Sequence, residues 1–209
     1  GALKFASDNL KNDREIVMAA VIKSRTALLF ASEELRADRE IVFTAVSQNG
    51  EDLIFASDNL KSDREVIMAA VKLNGSAIQY ASKELIEDPK VVLAAVSQDG
   101  YALRYAGNAM KNDRKLVMTA VSKIGYALEY ASVALRADRD IVMTAVKRNG
   151  TALKYACAKL RDDQEVVLAA VKQNGYALSC ASEALRADHD IVMAAVKQNG
   201  YALSSASDE

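Results

Sequence analysis

The nine residues "DREIVMAAV", from Asp13 to Val21, decide the fold because closely similar stretches recur along the chain. The pattern returns as "DREIVFTAV" at Asp38 and as "DHDIVMAAV" at Asp188. Cutting the chain every 25 residues aligns eight complete units and a partial ninth, which start at residues 1, 26, 51, 76, 101, 126, 151, 176 and 201. An unbroken period of this length is typical of a repeat array. We therefore predict a single continuous array over residues 1–209, and number positions 1–25 within each unit.

The first half of a unit predicts a short amphipathic helix. In "YALEYASVALR", which begins at Tyr126, the apolar residues Leu128, Ala131 and Leu135 are spaced by three and four. Residues at these spacings share one side of a helix. We expect the aromatic residue at position 5, such as Tyr130, to pack between neighbouring units.

The second half of a unit predicts a helix with a defined start and end. In "DRDIVMTAVKRNG", Asp138 stands where a carboxylate can accept hydrogen bonds from the free amides of the first turn. The residues from Ile141 to Val146 form a broad apolar face, and we assign the methionines at position 18 to the core or the stacking surface. Gly150 ends the unit, where we expect a left-handed conformation that closes the helix.

The cap aspartate recurs in each complete unit. We predict structural helix caps at Asp13, Asp38, Asp63, Asp88, Asp113, Asp138, Asp163 and Asp188. Helices of about ten residues are marginal alone in water, so neighbouring units must stack to stabilise them. The sequence therefore predicts an all-α fold, an α-solenoid built as a superhelical stack of two-helix, 25-residue repeats.

These units resemble a known repeat family. The stretches "ALKYACAKLRDDQEVVLAAVKQNG", from Ala152, and "YALSCASEALRADHDIVMAAVKQNG", from Tyr176, are similar to the tandem helical repeats of "domain of unknown function 4116". The resemblance covers the whole chain. It implies a helical repeat array and carries no catalytic residue, cofactor or partner.

Residue types that commonly carry chemistry are sparse. His189 is the single histidine and follows the cap Asp188, where an exposed helix-start residue is expected. The spacing of Cys157 and Cys180 fits neither a zinc site nor a disulfide framework, which indicates a reducing compartment. No phosphate-binding or dinucleotide-binding glycine motif is present. We expect no enzyme activity, no catalytic residue, no cofactor and no metal.

Two surface stripes remain as candidates for binding. One is basic and combines position 11 with position 14: Lys11, Arg36, Lys61, Lys111, Arg136, Arg161 and Arg186, with Arg14, Arg39, Arg64, Arg114 and Arg139. Acidic neighbours nearly balance it, so a solvated, salt-bridged edge is expected. The other is aromatic, and it supplies the candidate partner-binding ridge: Tyr101, Tyr126, Tyr176 and Tyr201.

Composition narrows the classes of function. The net charge is −1 and no apolar run approaches the roughly 20 residues of a membrane-spanning helix, so we expect neither specific nucleic-acid binding nor membrane insertion. We predict a soluble, intracellular, non-enzymatic scaffold that binds other proteins, or a structural subunit of a larger assembly. The alternatives are the recognition arm of a longer enzyme or effector and a single-stranded nucleic-acid binding repeat. The array lacks polar end caps, so we expect it to be part of a longer chain or to be covered by a partner.

Overall fold

The computed structural model describes residues 2–207, which fall into two compact units divided between Gly107 and Asn108. Within these residues each regular element is a helix and no strand occurs. Inside each unit, consecutive repeats stack with their long helices side by side and their 3₁₀-helices side by side. The all-α repeat solenoid predicted from the sequence is confirmed.

One long α-helix forms in each complete repeat, directly after the recurring aspartate. The helices are α1 Arg14–Lys23, α2 Arg39–Val46, α3 Arg64–Leu73, α4 Pro89–Gln98, α5 Arg114–Lys123, α6 Arg139–Arg148, α7 Gln164–Gln173 and α8 His189–Gln198. Pro89 is the first residue of α4, where a missing backbone N–H costs nothing.

The first half of each repeat is not the single helix that we predicted. It begins as a 3₁₀-helix, which starts in most repeats at the glycine that closes the preceding unit: Ala2–Phe5, Leu28–Phe30, Gly50–Phe55, Gly75–Tyr80, Gly100–Tyr105, Gly125–Tyr130, Gly150–Tyr155, Gly175–Cys180 and Gly200–Ser205. The chain then becomes extended, as at Ala131, where ψ is 154°.

A short turn of helix follows the extended residues and leads to the next cap. These turns are Asp8–Lys11, Leu35–Ala37, Asp58–Lys61, Leu85–Glu87, Asn108–Lys111, Leu135–Ala137, Ala158–Arg161 and Glu183–Ala187. Leu128 and Leu135, which the sequence placed on one helix, therefore belong to two different short elements. Both are buried nonetheless.

The break in the first half has a physical cause in the neighbouring repeat. The residue after the extended alanine donates its backbone N–H to a carbonyl of the preceding repeat, for example Ser132 to Lys111 at 2.9 Å and Ser57 to Arg36 at 3.0 Å. A continuous helix would use this N–H internally. One backbone hydrogen bond per repeat thus fixes the register between neighbours.

A second link joins repeats in pairs. The hydroxyl of Ser32 donates to Oδ1 of Asn12 at 2.6 Å, and that of Ser132 donates to Oδ1 of Asn112 at 2.7 Å. Ser57 follows a repeat that has Ala37 at the corresponding place, and its buried hydroxyl has no such partner. Ser182 makes the same contact with Asp162, whereas Ser82, which follows Ser62, does not. The contact therefore forms where position 12 of the preceding repeat is asparagine or aspartate.

Glycine closes the repeat because of a close approach, and not through a left-handed conformation as we predicted. None of the described glycines has a positive φ. A Cβ built on Gly125 would lie 2.3 Å from the carbonyl oxygen of Ala145, and one on Gly50 would lie 2.4 Å from that of Ala70. Contacts this short exclude any side chain. The glycine packs directly on the long helix of the following repeat.

The core lies between the two rows of helices. The long helices from α2 to α7 bury the residues at positions 16, 17, 20 and 21, such as Ile141, Val142, Ala145 and Val146 of α6, whose relative exposure is 0%. The first and last long helices bury only some of these positions, and Ile16 of α1 is exposed. Leucine or isoleucine of the facing 3₁₀-helix completes each layer. Since positions 16, 17, 20 and 21 pack against neighbouring elements, the side chain at position 18 lies on the face of the helix that points away from the 3₁₀-helices.

Candidate partner-binding surfaces

The recurring aspartates each lie at the start of a long helix. Asp138 accepts backbone hydrogen bonds from Asp140 at 3.0 Å and Ile141 at 3.1 Å. The other seven accept from one or two amides in the same turn: Asp13, Asp38, Asp63, Asp88, Asp113, Asp163 and Asp188. Their carboxylate oxygens thus satisfy free backbone N–H groups at the helix N-termini, which is a structural role.

The arginines at position 14 form a ladder between repeats. Arg114 donates to Asp138 at 2.8 Å and to Asp140 at 2.8 Å, so one guanidinium spans the cap and the next acidic residue of the following repeat. The other pairs of this arginine ladder with a cap aspartate are Arg14 with Asp38, Arg39 with Asp63, Arg64 with Asp88, and Arg139 with Asp163. This half of the basic stripe is occupied by the protein's own carboxylates.

The ladder changes the acidity of the caps. The Arg39 guanidinium lowers the pKa of the Asp63 carboxyl, and Arg114 lowers the pKa of Asp138 in the same way. At Asp88 the hydrogen bond from Arg64, helped by backbone amides, lowers the pKa to about 2. Asp63, Asp88 and Asp138 therefore stay ionised to a lower pH than an ordinary aspartate does.

The other half of the basic stripe, at position 11, is salt-bridged only in part: within the described residues of the first unit, Lys11 and Lys61 are paired and Arg36 is not. In the first unit, Lys11 lies 3.6 Å from Asp8 and Lys61 lies 3.7 Å from Asp58. In the second unit the cations remain but form no salt bridge among residues 108–207: Lys111, Arg136, Arg161 and Arg186. Their side chains are half-buried.

The predicted tyrosine ridge lies at the second residue of the 3₁₀-helices. Tyr101, Tyr176 and Tyr201 are exposed, the last by 78%, and Tyr126 is half-buried. The Tyr126 hydroxyl is hydrogen-bonded to that of Thr151. Because Thr151 interrupts the column, the aromatic surface within the second unit is discontinuous. Binding by these tyrosines stays a prediction.

The aromatic residues at position 5 are only partly inserted between units. Tyr130 and Tyr155 are half-buried, and Phe5 is exposed. The Lys154 ammonium lies 4.6 Å from the centre of the Tyr155 ring, within range of a cation–π interaction. Our expectation of close packing between neighbours is therefore correct only in part.

A column of large apolar side chains runs along the long helices. We call it the apolar column, and it comprises Met18, Phe43, Met68 and Leu93 in the first unit and Met118, Met143, Leu168 and Met193 in the second. All are half-buried or exposed, and Leu93 is 45% exposed. We assigned these methionines to the core or the stacking surface. None of them belongs to the core, and most are half-buried at the surface where the long helices stack. Positions 16, 17, 20 and 21 form the packing face of the helix, so the side chain at position 18 is directed towards solvent.

Shallow grooves lie between neighbouring long helices beside this column. In the second unit, a groove of about 580 Å³ between α7 and α8 is lined by Leu168 and Met193, with Lys172 and Lys197 also among its residues. In the first unit, the groove between α2 and α3 is lined by Phe43 and measures about 390 Å³. Such grooves can receive side chains of a segment laid across the helices.

Comparison with protein families gives a match over nearly the whole chain. The family described as "Domain of unknown function (DUF4116)" matches residues 1–36, 38–86, 88–136, 113–161, 138–186 and 163–209. The chain belongs to the DUF4116 family. Several matches are about two 25-residue repeats long, and those in the second half of the chain are offset from one another by one repeat, as expected of a tandem array. The predicted resemblance is confirmed.

Two other comparisons found no relative of this DUF4116 array. No curated protein matches the chain, and no solved structure matches it. Among residues 2–207, no helix is long and apolar enough to cross a membrane. Over the same residues, no group of three or more His, Cys, Asp or Glu side chains is placed to hold a metal ion.

Asp52 is a feature of the array that the sequence analysis missed. It stands at position 2, which is alanine in the eight other repeats, and it is only 3% exposed. Its carboxylate accepts a hydrogen bond from Nδ2 of Asn49 at 2.8 Å. Burial raises the pKa of Asp52 to about 6, despite that hydrogen bond. The alignment of repeats contained the signal, since a single charged residue interrupts a column of alanines.

Proposed function

We propose that this DUF4116 array is a non-enzymatic protein-interaction scaffold, which binds partner proteins along the apolar column. The observation that carries the proposal is that every member of this column is at least partly exposed: Phe43, Leu93 and Met193 are exposed and the other five are half-buried. Large apolar side chains recur at the same place on eight long helices, although the helices have no packing need for them there. Contiguous exposed apolar surface in a protein is a mark of interaction sites.

The chemistry of the column suits protein recognition. Methionine occupies five of its eight places, and its flexible thioether adapts to apolar partners of different shape. Apart from Ile22 in the first repeat, the residues four places after the column members are serine or lysine, so the apolar strip has a mostly polar border along this side. Interfaces between proteins commonly have this arrangement of an apolar centre and a polar rim.

Site-specific photo-crosslinking in the native cell tests the proposal. A photoreactive phenylalanine analogue replaces Leu168 on the apolar column, and in a control protein it replaces Ser179, which is exposed on the 3₁₀-helix Gly175–Cys180 of the same unit. We expect discrete crosslinked proteins from position 168 and few from position 179. Crosslinks confined to position 179 would transfer the role to the tyrosine ridge. Crosslinks to nucleic acid alone would reject a protein-binding scaffold.

A further inference from the structure

The second unit carries unpaired positive charge beside its apolar column. We call this the lysine row, and it consists of Lys147, Lys172 and Lys197. Each lysine lies four residues after a member of the apolar column, so the two side chains are neighbours on one helix face. The three lysines are exposed. The lysine row and the apolar column thus form adjacent parallel strips across α6, α7 and α8.

The lysine row differs from the arginine ladder in having no acidic partner. Over residues 2–207, Lys147, Lys172 and Lys197 form neither a salt bridge nor a side-chain hydrogen bond. By contrast, Arg114 and Arg139 at the opposite ends of the helices are engaged by two carboxylates each. The carboxylates Asp138, Asp140, Asp163 and Glu165 are thus held at the helix starts. Asp190 of α8 lies 3.3 Å from His189 and has no arginine partner within the described chain. The three free lysines lie at the helix ends.

Helix stability alone does not account for the lysine row. A cation near the C-terminus of a helix interacts favourably with the helix dipole. The same position is nevertheless serine in α2, α4 and α5, as Ser47, Ser97 and Ser122. Those helices form without the cation, so lysine at this place in three consecutive repeats requires another explanation.

The spacing of the strips fits an extended chain laid across the helices. Packed helices have axes roughly 8–10 Å apart, while an extended or polyproline chain advances roughly 3.1–3.4 Å per residue. Every third residue of such a chain would therefore meet the next helix. At the step from α7 to α8, the groove lined by Leu168 and Met193 offers an apolar contact and two lysines, Lys172 and Lys197, against one carboxylate, Asp190.

We propose that the second unit binds an acidic, extended protein segment across α6, α7 and α8. An apolar side chain at every third residue contacts Met143, Leu168 and Met193, and the intervening carboxylates pair with the lysine row. This inference rests on the proposed function, since it names the partner class for the same apolar column. Charge complementarity selects the acidic segment over a neutral or basic one.

The first unit supplies an internal contrast. At the position of the lysine row it has Ile22, Ser47, Lys72 and Ser97, of which a single residue is cationic. Its apolar column is therefore flanked mostly by uncharged residues at the helix ends. The acidic segment should bind the second unit in preference to the first.

Fluorescence anisotropy with synthetic peptides tests the inference on the full chain. The probe is a labelled twelve-residue peptide of four Leu-Glu-Glu triplets, and the comparison peptides replace Glu by Lys or Leu by Ser. The test protein is K147S/K172S/K197S, which copies the serine of the other repeats. A matched control, K83S/K90S/K159S, removes the same charge from exposed lysines elsewhere.

We expect the acidic probe to bind and the two comparison peptides not to bind. K147S/K172S/K197S should weaken binding of the acidic probe by roughly tenfold, whereas K83S/K90S/K159S should leave its affinity unchanged. Replacing the column as M143Q/L168Q/M193Q should weaken binding as well. Equal binding of the Leu-Lys-Lys peptide, or full affinity in K147S/K172S/K197S, would overturn the inference. Loss of binding in R136Q/R161Q/R186Q with no loss in the lysine variant would also overturn it.

The outcome separates this inference from the proposed function. A protein crosslinked through position 168 that is still crosslinked in K147S/K172S/K197S supports a scaffold and overturns the acidic segment. Absence of any protein crosslink at position 168 overturns the scaffold role of the column, whatever the peptides do.

Discussion

Arg114 of the fifth repeat donates to the carboxylate of Asp138, the cap of the sixth repeat's long helix, at 2.8 Å. Asp138 therefore has two roles: it caps the N-terminus of its own helix and it pairs with an arginine of the preceding repeat. Asp138→Ala should lower the free energy of unfolding by about 1 kcal/mol through loss of the cap, with a further loss from the broken contact to Arg114. Chemical denaturation of the purified protein measures the change.

The contribution of the cap can be separated from that of the ladder. Asp138→Asn keeps an oxygen that accepts the amides but removes the charge, so it should cost less than Asp138→Ala. Arg114→Gln should lower the free energy of unfolding by still less, because the guanidinium of the Arg114–Asp138 pair is largely exposed. This loss should become smaller at high salt concentration, which screens the charges. A loss for Arg114→Gln that exceeds the loss for Asp138→Ala would contradict this division.

The acidity of Asp88 offers a second prediction. Its pKa is about 2 in the folded protein, against an ordinary value of 3.8, because Arg64 and the backbone amides favour the charged form. A lowered folded pKa contributes stability that is present above pH 3.8 and is lost as pH falls towards 2. Arg64→Gln should raise the pKa of Asp88 towards 3.8, as measured by NMR titration of the carboxyl carbon. An unchanged pKa would show that the amides alone hold the charge.

The long helices were predictable from the sequence because local signals agree there. Asp138 marks the start, and Ile141 to Val146 form a face with helical spacing, so cap and periodicity point to the same element. The first half misled us because the spacing of Leu128, Ala131 and Leu135 suits one helix or two short ones. What decides between them is the bond from Ser132 to Lys111, which belongs to the neighbouring repeat.

The candidate surface was missed for a related reason. Position 18 was assigned to the core or the stacking surface because it is apolar in all eight long helices. A signal was nevertheless present: the position varies among Met18, Phe43 and Leu93, whereas the buried position before it holds valine or isoleucine throughout. Interiors are packed too tightly to accept such differences in shape at equivalent places. Variation in size thus indicated the open side of the helix.

Asp52 should make the stability of the array depend on pH near neutrality. Its folded pKa is raised to about 6 from 3.8, so protonation favours the folded state. The contribution is fully present below pH 3.8 and is lost as pH rises through about 6, a difference of about 2–3 kcal/mol. Asp52→Asn should stabilise the protein at pH 7.5, have little effect at pH 4, and flatten the pH dependence between them. Thermal melts across this range provide the measurement, and an equal pH dependence in both proteins would refute a buried carboxylate.

Gly125 and Gly200 occupy the same position in their repeats but differ in their surroundings, which gives a matched pair of substitutions. A Cβ on Gly125 would lie 2.3 Å from the carbonyl oxygen of Ala145, whereas a Cβ on Gly200 would meet nothing within 4 Å. Gly125→Ala must push the 3₁₀-helix away from α6, and overpacking of this kind costs about 1–3 kcal/mol. Gly200→Ala should be neutral or slightly stabilising, because alanine restricts the unfolded chain and φ is not positive there. Denaturation midpoints of the two variants compare the effects directly. If Gly200→Ala destabilised the protein as much as Gly125→Ala, backbone conformation would explain the glycines better than the close approach of neighbouring repeats.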